Sequence, residues 1–238
     1  QDTSCYGFDI GTNLAELAKK ILEQNSGDYK IRLGMGNTRH LEKYPDEMLS
    51  VYEDERIYKF IHLPVQSGSV SVLQAMGRKH NVDTFRKIAE AFISKFSYFT
   101  LSTDIIVGFP GETREDFEQT CKLISDLKPS ICNITRFVAR PNTVAEKLPG
   151  KIPGKEQHYR SATLSALFQK IPLENNISRE GKTARVLTEN SGHRNGTYIA
   201  RDEAYRSIAL KGNYKPGTWL NVQIEKAETF VLLAKEVL

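Results

Sequence analysis

Cysteine is scarce in this chain of 238 residues, and no apolar run is long enough to span a bilayer. Cys5, Cys121 and Cys132 are odd in number and far apart, and their spacing matches no zinc or iron–sulfur pattern. They read as free, mostly buried thiols in a reducing, cytoplasmic setting, so no metal ligand is assigned. A signal peptide is missing too, and no membrane partner is expected. The first residue is Gln1 rather than methionine, which reads as a piece of a longer chain. Hydrophobic content of 39% and charged content of 26% are those of a globular protein, with room for a medium domain and a small one.

Neither sign of charge dominates, since the net charge is only +4. Acids thin out in one place: from Lys128 to Lys182, ten Lys and Arg stand against Glu146, Glu156, Glu174 and Glu180. Phosphate binding explains this asymmetry, and so does a solvated linker face.

What is present is organised around Leu101–Thr113. An apolar, β-branched run carries one acid, Asp104, meets Gly108-Phe109-Pro110-Gly111, and opens onto a helix. It reads as a strand buried on both faces. Thr113 with Asp116 three residues on is a capping signature. A charge inside such a strand is costly, so Asp104 is expected to have a partner: neighbouring backbone, an arginine or a ligand.

Strand and helix alternate along the first part of the chain. Asn13 and Glu16 start a helix, Lys30–Met35 reads as a strand, and 45–55 as a short helix. Ile61–Val65 is the next strand, followed by Gln66-Ser67-Gly68-Ser69 and helices over 70–76 and 82–95. A helix over 113–127 and a strand over Ile131–Val138 complete the series. This is an α/β fold of parallel βαβ units, whose ligands sit at the carboxyl ends of strands. Four strands do not close a barrel, so the sheet is open or strands precede it.

Beyond Gly150 the character changes. A helical pattern over 155–178 is interrupted near Pro172, and five short strands follow: Thr183–Thr188, Thr197–Ala200, Arg206–Leu210, Trp219–Ile224 and Phe230–Ala234. Turns at Asn195-Gly196, Gly212-Asn213 and Pro216-Gly217 suit a small antiparallel OB-like β-barrel. Arg185, Arg194, Arg201, Arg206, Tyr198 and Tyr205 are candidates for nucleic-acid contacts there. Glu189, Asp202, Glu203, Glu225 and Glu228 nearly balance the charge.

Three motifs, His62–Ser69, Met76–Lys79 and Ser102–Thr113, together resemble the radical SAM methylthiotransferases. Arg140-Pro141-Asn142-Thr143 is similar to their Arg-Pro-Gly-Thr segment, with Asn142 in place of glycine, and Gln1–Gly7 resembles the loop after the second barrel strand. Arg32–Asn37 resembles the branch acting on threonylcarbamoyladenosine in tRNA. The resemblance implies a partial (β/α)6 radical SAM barrel, strands three to six, over 1–150, a helical linker over 151–180 and a TRAM-like β-barrel over 181–238. Family members bind two 4Fe–4S clusters, one through Cys-x3-Cys-x2-Cys. Neither cysteine triad is present in this sequence, so no catalytic residue is assigned and the chain by itself is expected to be inactive.

By position, the resemblance assigns Gln66 and Asp104 to the ribose hydroxyls of S-adenosylmethionine and Arg78 to its carboxylate. Asn37, where relatives often place an acid, Ile106 and Gly108 join the same cofactor set. Arg136, Arg140, Lys147 and Lys151, with Arg185 and Arg201 of the small barrel, are expected to hold the anticodon arm of a tRNA. A sulfur donor and an electron donor are also implied. Two rivals stay open: a relative acting on another tRNA base or a protein side chain, and a non-catalytic RNA-binding module.

Overall fold

The computed structural model describes residues 2–192 and 196–237. The expectations attached to Gln1, Arg194 and the Asn195 turn lie outside the described residues. The chain begins with helices α1 (Leu14–Gln24), α2 (Thr38–Leu41) and α3 (Pro45–Val51), then strand β1 (Phe60–His62). Helices α4 (Val70–Ala75) and α5 (Val82–Lys95) lead to β2 (Thr100–Val107), α6 (Arg114–Leu127) and β3 (Ile131–Arg136). The three strands form one parallel sheet in the order β1-β2-β3.

The expected strand over Lys30–Met35 exists only as two isolated bridges, Ile31 to Ile57 and Met35 to His62. Between them the chain leaves the ladder. Gly34 lies so close to Thr3 that an added Cβ would come within 2.7 Å of its methyl, and glycine is a weak strand former.

Capping behaves as the spacing predicts. Asp116 N donates to Thr113 Oγ1, Thr113 N donates back to the Asp116 carboxylate, and α6 runs from that box. Its apolar side buries Phe117, Leu123 and Ile124 with Phe85, Ile88 and Phe92 of α5 against Leu101, Ile105 and Val107. These three alternate along β2 and define the helix-covered face.

The opposite face of β2 is less covered than expected. Thr100 and Ser102 are buried, whereas Asp104 and Ile106 are half-exposed. The reason is what lies over each half. The small barrel covers the amino ends of the strands, and among the described residues nothing comparable covers the carboxyl ends.

Helices α7 (Gly154–Phe168) and α8 (Lys170–Ile177) connect the sheet to the barrel. The break falls at Gln169 because Pro172 cannot bond to the carbonyl four residues back. The barrel consists of β4 (Thr183–Ser191), β5 (Thr197–Arg201), β6 (Ser207–Lys211), β7 (Trp219–Ala227) and β8 (Leu232–Glu236), closed in the order β4-β5-β6-β8-β7. All its pairs are antiparallel except β6 with β8, which is parallel because β7 crosses to the far side before β8 returns. Val186, Ile208, Val222, Ile224 and Leu232 fill its core.

Barrel and sheet are joined by the loop 202–206. Lys59 N donates to the Glu203 carbonyl at 2.8 Å, and Tyr205 packs edge-on against Tyr58 and Phe60 at 4.9 and 5.4 Å. Tyr198 is buried against Tyr214, and Arg206 bonds Ser130 at 2.9 Å and also Asn176. Tyr198, Tyr205 and Arg206, three candidates for nucleic-acid contacts, are thus used within the protein. Among the described residues, no helix is long and apolar enough to cross a membrane.

Candidate functional site

The carboxyl end of β1 departs from a regular ladder. Leu63 N donates to the Ser102 carbonyl and Gln66 N to the Asp104 carbonyl, both at 2.8 Å, so the β1 side advances three residues while β2 advances two. Pro64 has no N–H to place, and Val65 N bonds Thr103 Oγ1 at 3.2 Å instead. This bulge delivers Gln66 with φ +75°, a left-handed backbone conformation that residues other than glycine rarely adopt. Ile106 N then bonds the Gln66 carbonyl at 2.9 Å, fixing it over β2.

The Ser67-Gly68-Ser69 stretch is used for docking. A Cβ on Gly68 would sit 2.6 Å from the Thr120 Cα, so only glycine lets the loop meet α6 there. Ser69 and Ser71 donate to Asp116 at 2.5 and 2.7 Å. Burial opposes ionisation of Asp116, but these bonds and those from Thr113 outweigh it and hold its pKa at about 2.

Asp104 is the centre of the open face. His62 Nε2 lies 3.1 Å from its Oδ1, and Asn133 Nδ2 donates to the same oxygen at 2.7 Å. One side chain from each strand thus meets at one point. Burial acts to raise the Asp104 pKa, yet the bonds from His62 and Asn133 prevail and pull it below the usual carboxylate value. The expected partner is therefore a histidine and an asparagine, not backbone or an arginine.

Past β2 the chain turns through Gly108, whose φ is +77°. Gly108 N donates to Glu112 Oε2 at 2.7 Å, and a Cβ there would collide with Gln157 at 2.5 Å. Glu112 is buried with Arg160 of α7 at 2.7 Å, and burial pushes its pKa up. Beside this turn, Ile106, Thr135, Arg136, Phe137, Val138 and Arg140 line a cleft of about 540 Å³.

The predicted residues fall into separate groups. Asp104, Ile106, Gln66 and Gly108 share the strand ends, and Arg136 and Arg140 open onto the same cleft as Ile106. Arg136, Arg140, Lys147 and Lys151 are exposed, and none has an ion-pair partner among the described residues. Asn142 has φ +65°, the left-handed turn for which asparagine substitutes tolerably for glycine. Asn37 caps α2 through its side chain, which accepts from Arg39 N at 3.1 Å. Arg78 is exposed in the turn after α4, with no hydrogen bond to the Asp104 cluster.

Arg185 and Arg201 already have partners. Arg185 pairs with Asp28 and stacks on Trp219 at 4.2 Å. Arg201 bonds Glu189 and Ser207, each at 2.8 Å, and lies over Tyr205 at 4.5 Å. Sequence reasoning missed His62, Asn133, Glu112 and Arg160. Asn133 had one local signal, an amide inside an apolar strand; the Glu112–Arg160 pair had none.

The profile of the radical SAM superfamily matches residues 3–124, and that of the TRAM domain matches residues 178–237. The chain belongs to the radical SAM superfamily. Among its relatives, the probable threonylcarbamoyladenosine tRNA methylthiotransferase of Archaeoglobus fulgidus is 43% identical over 94% of this chain and 52% of that protein. The Pyrococcus horikoshii protein of the same title is 40% identical over 99% and 54%, and the human threonylcarbamoyladenosine tRNA methylthiotransferase 35% over 90% and 36%. The chain thus spans about half the length, or less, of the curated relatives it matches. Coproporphyrinogen III oxidase from Escherichia coli, a radical SAM enzyme, shares the fold with a TM-score of 0.51 at 13% identity, over 94% of this chain and 55% of that one.

The superfamily implies S-adenosylmethionine and an iron–sulfur cluster. The open Asp104 carboxylate beside a glycine turn fits a ribose and its base. The cysteines do not fit a cluster: Cys5 is exposed, contrary to expectation, while burial pushes Cys121 and Cys132 up to about 11 and about 12. Thiols held protonated in two different elements are poor iron ligands.

Proposed function

We propose that this chain is the carboxyl-terminal half of a tRNA threonylcarbamoyladenosine methylthiotransferase, divided near residues 150 and 180. In this reading it supplies the walls of the cofactor site and the RNA-binding surface. The observation that carries it is the meeting of two features at one end of one sheet. Asp104, held ionised by His62 and Asn133, adjoins a cleft edged by Arg136 and Arg140.

Asp104 and Gln66 accept from the ribose hydroxyls, Arg78 pairs with the carboxylate of S-adenosylmethionine, and Ile106 and Gly108 border its adenine, with Asn37 close by. When bound with the clusters of the whole enzyme, the cofactor supplies the radical chemistry that brings sulfur and a methyl group to C2 of the adenosine. Two clusters, an electron donor and a sulfur donor complete the reaction, in the cytoplasm. The chain's own contribution is to bind, orient and exclude water. Arg136, Arg140, Lys147 and Lys151, with Arg185 and Arg201 of the barrel after exchange of their present partners, hold the anticodon arm.

The test replaces Arg136, Arg140 and Lys151 together by alanine and measures binding of an anticodon stem-loop against salt. Losing three phosphate contacts should lower the slope of log K against log salt by about 2. An unchanged slope would overturn the placement.

A further inference from the structure

One cluster of donor atoms, on the loop beside the Met35–His62 bridge at the end of β1, has no role in the reading above. Asp2, Cys5 and His40 bring a carboxylate, a thiol and an imidazole together, with all three donor atoms within 4.8 Å of one another. Asp2 Oδ2 lies 2.7 Å from His40 Nδ1, and Cys5 Sγ sits 3.3 Å from the Asp2 carbonyl.

The frame around them is fixed. Thr3 N and Thr3 Oγ1 both donate to the Met35 carbonyl, at 2.8 and 3.0 Å. Asn37 N donates to Ser4 Oγ at 2.8 Å, and the Tyr44 hydroxyl donates to the Ser4 carbonyl at 2.5 Å. The loop bearing Asp2 and Cys5 is thereby pinned to the segment bearing His40. Ser4 also occupies the other carboxylate oxygen: its N–H and Oγ–H reach Asp2 Oδ1 at 3.0 and 2.5 Å. That orients Oδ2 toward the imidazole. The His40 ring is met edge-on by Phe8 at 5.5 Å, which restricts its rotation.

We propose that Asp2, Cys5 and His40 bind one zinc ion, with a fourth position open to solvent. The donor set selects the metal. A thiolate excludes magnesium and calcium, and a mixed sulfur, nitrogen and oxygen set of three suits zinc with one exchangeable site. Zinc lies about 2.0 Å from nitrogen or oxygen and about 2.3 Å from sulfur, so tetrahedral donors stand roughly 3.3–3.7 Å apart. Closing the present triangle needs a shift of about 1 Å, within the rotamer freedom of the exposed Cys5. The ion takes the place of the hydrogen now shared by Asp2 and His40, and the Cys5 thiol releases its proton. The alternative is an ordinary ion pair with a bystander thiol.

The chain, stripped of metal with a chelator and kept reduced, is titrated with zinc by calorimetry and with cobalt(II) by absorption. The expected result is one ion per chain and a thiolate-to-cobalt charge-transfer band. Cys5→Ser should abolish the band and, like His40→Ala, weaken zinc binding by at least about tenfold. Cys121→Ser should leave both readings unchanged. Absence of stoichiometric binding, or a band that survives Cys5→Ser, would overturn the site. Should His40→Ala unfold by circular dichroism, Cys5→Ser at its exposed position still decides. This site does not depend on the methylthiotransferase reading, and either stands if the other fails.

Discussion

The Tyr98 hydroxyl donates to Asp202 Oδ2 at 2.5 Å, tying the segment before the central strand β2 to the small barrel across 104 residues of sequence. Asp202 is almost fully buried, and burial pushes its pKa up against the bonds it receives from Tyr98 and Arg206 N. Arg179 and Arg206 stack over the same ring at 3.9 and 4.9 Å. Tyr98→Phe keeps the ring and strips the carboxylate of one donor. It should cost about 1–3 kcal/mol in urea unfolding. A change below about 0.5 kcal/mol, the range of an ordinary surface substitution, would mean that the junction does not rest on this bond.

Gln66 pays in backbone conformation for its position. Gln66→Gly removes the side chain and the left-handed strain together, a relief of about 1 kcal/mol. Thermal stability should hold or rise while the full-length enzyme binds S-adenosylmethionine more weakly, measured by equilibrium dialysis. A clear fall in stability would instead make the side chain a structural plug.

Gly68 leaves no such latitude. With Thr120 Cα 2.6 Å and the Gln119 carbonyl 2.7 Å from an added methyl, Gly68→Ala must push the loop off α6. The expected loss is about 1–3 kcal/mol by thermal denaturation, a typical overpacking cost. Stability equal to wild type would show that the loop yields freely.

Asp116 sets a pH dependence. Its pKa of about 2 lies below the value of about 3.9 expected in the unfolded chain. A carboxylate depressed on folding stabilises at pH above the unfolded value and loses that contribution as pH falls from about 4 to about 2. That depression corresponds to about 2–3 kcal/mol at neutral pH. Asp116→Asn should lower stability by that order at pH 7 and by much less at pH 2.5, followed by urea unfolding at each pH. An equal loss at both would assign the effect to packing alone.

Short-range signals in the sequence were legible because their physics is local. The Thr113–Asp116 box, the helix over Val82–Lys95 and the need of Asp104 for a partner each follow from a few adjacent residues. The identity of that partner did not follow, since His62 and Asn133 meet Asp104 only through strand register. Over 30–35 the apolar alternation is real but only Ile31 and Met35 are bridged, and the close approach of Thr3 to Gly34 comes from another part of the chain. Arg185 and Arg201 read as candidates for nucleic-acid contacts because Asp28 and Glu189 are brought to them only by the closed barrel and its docking.

Glu112 and Arg160 carry one more implication, for how this sequence can change over time. Both are buried, and the ion pair between them also receives Gly108 N and spans the glycine turn and the linker helix. Losing Arg160 strands the Glu112 carboxylate in the interior, a cost of about 3–5 kcal/mol that few domains tolerate. Losing Glu112 is milder, because Arg160 keeps Glu156 at 2.8 Å. Single-step loss of Arg160 is therefore blocked while Glu112 remains, and among related sequences a glutamate at position 112 should be accompanied by an arginine at position 160.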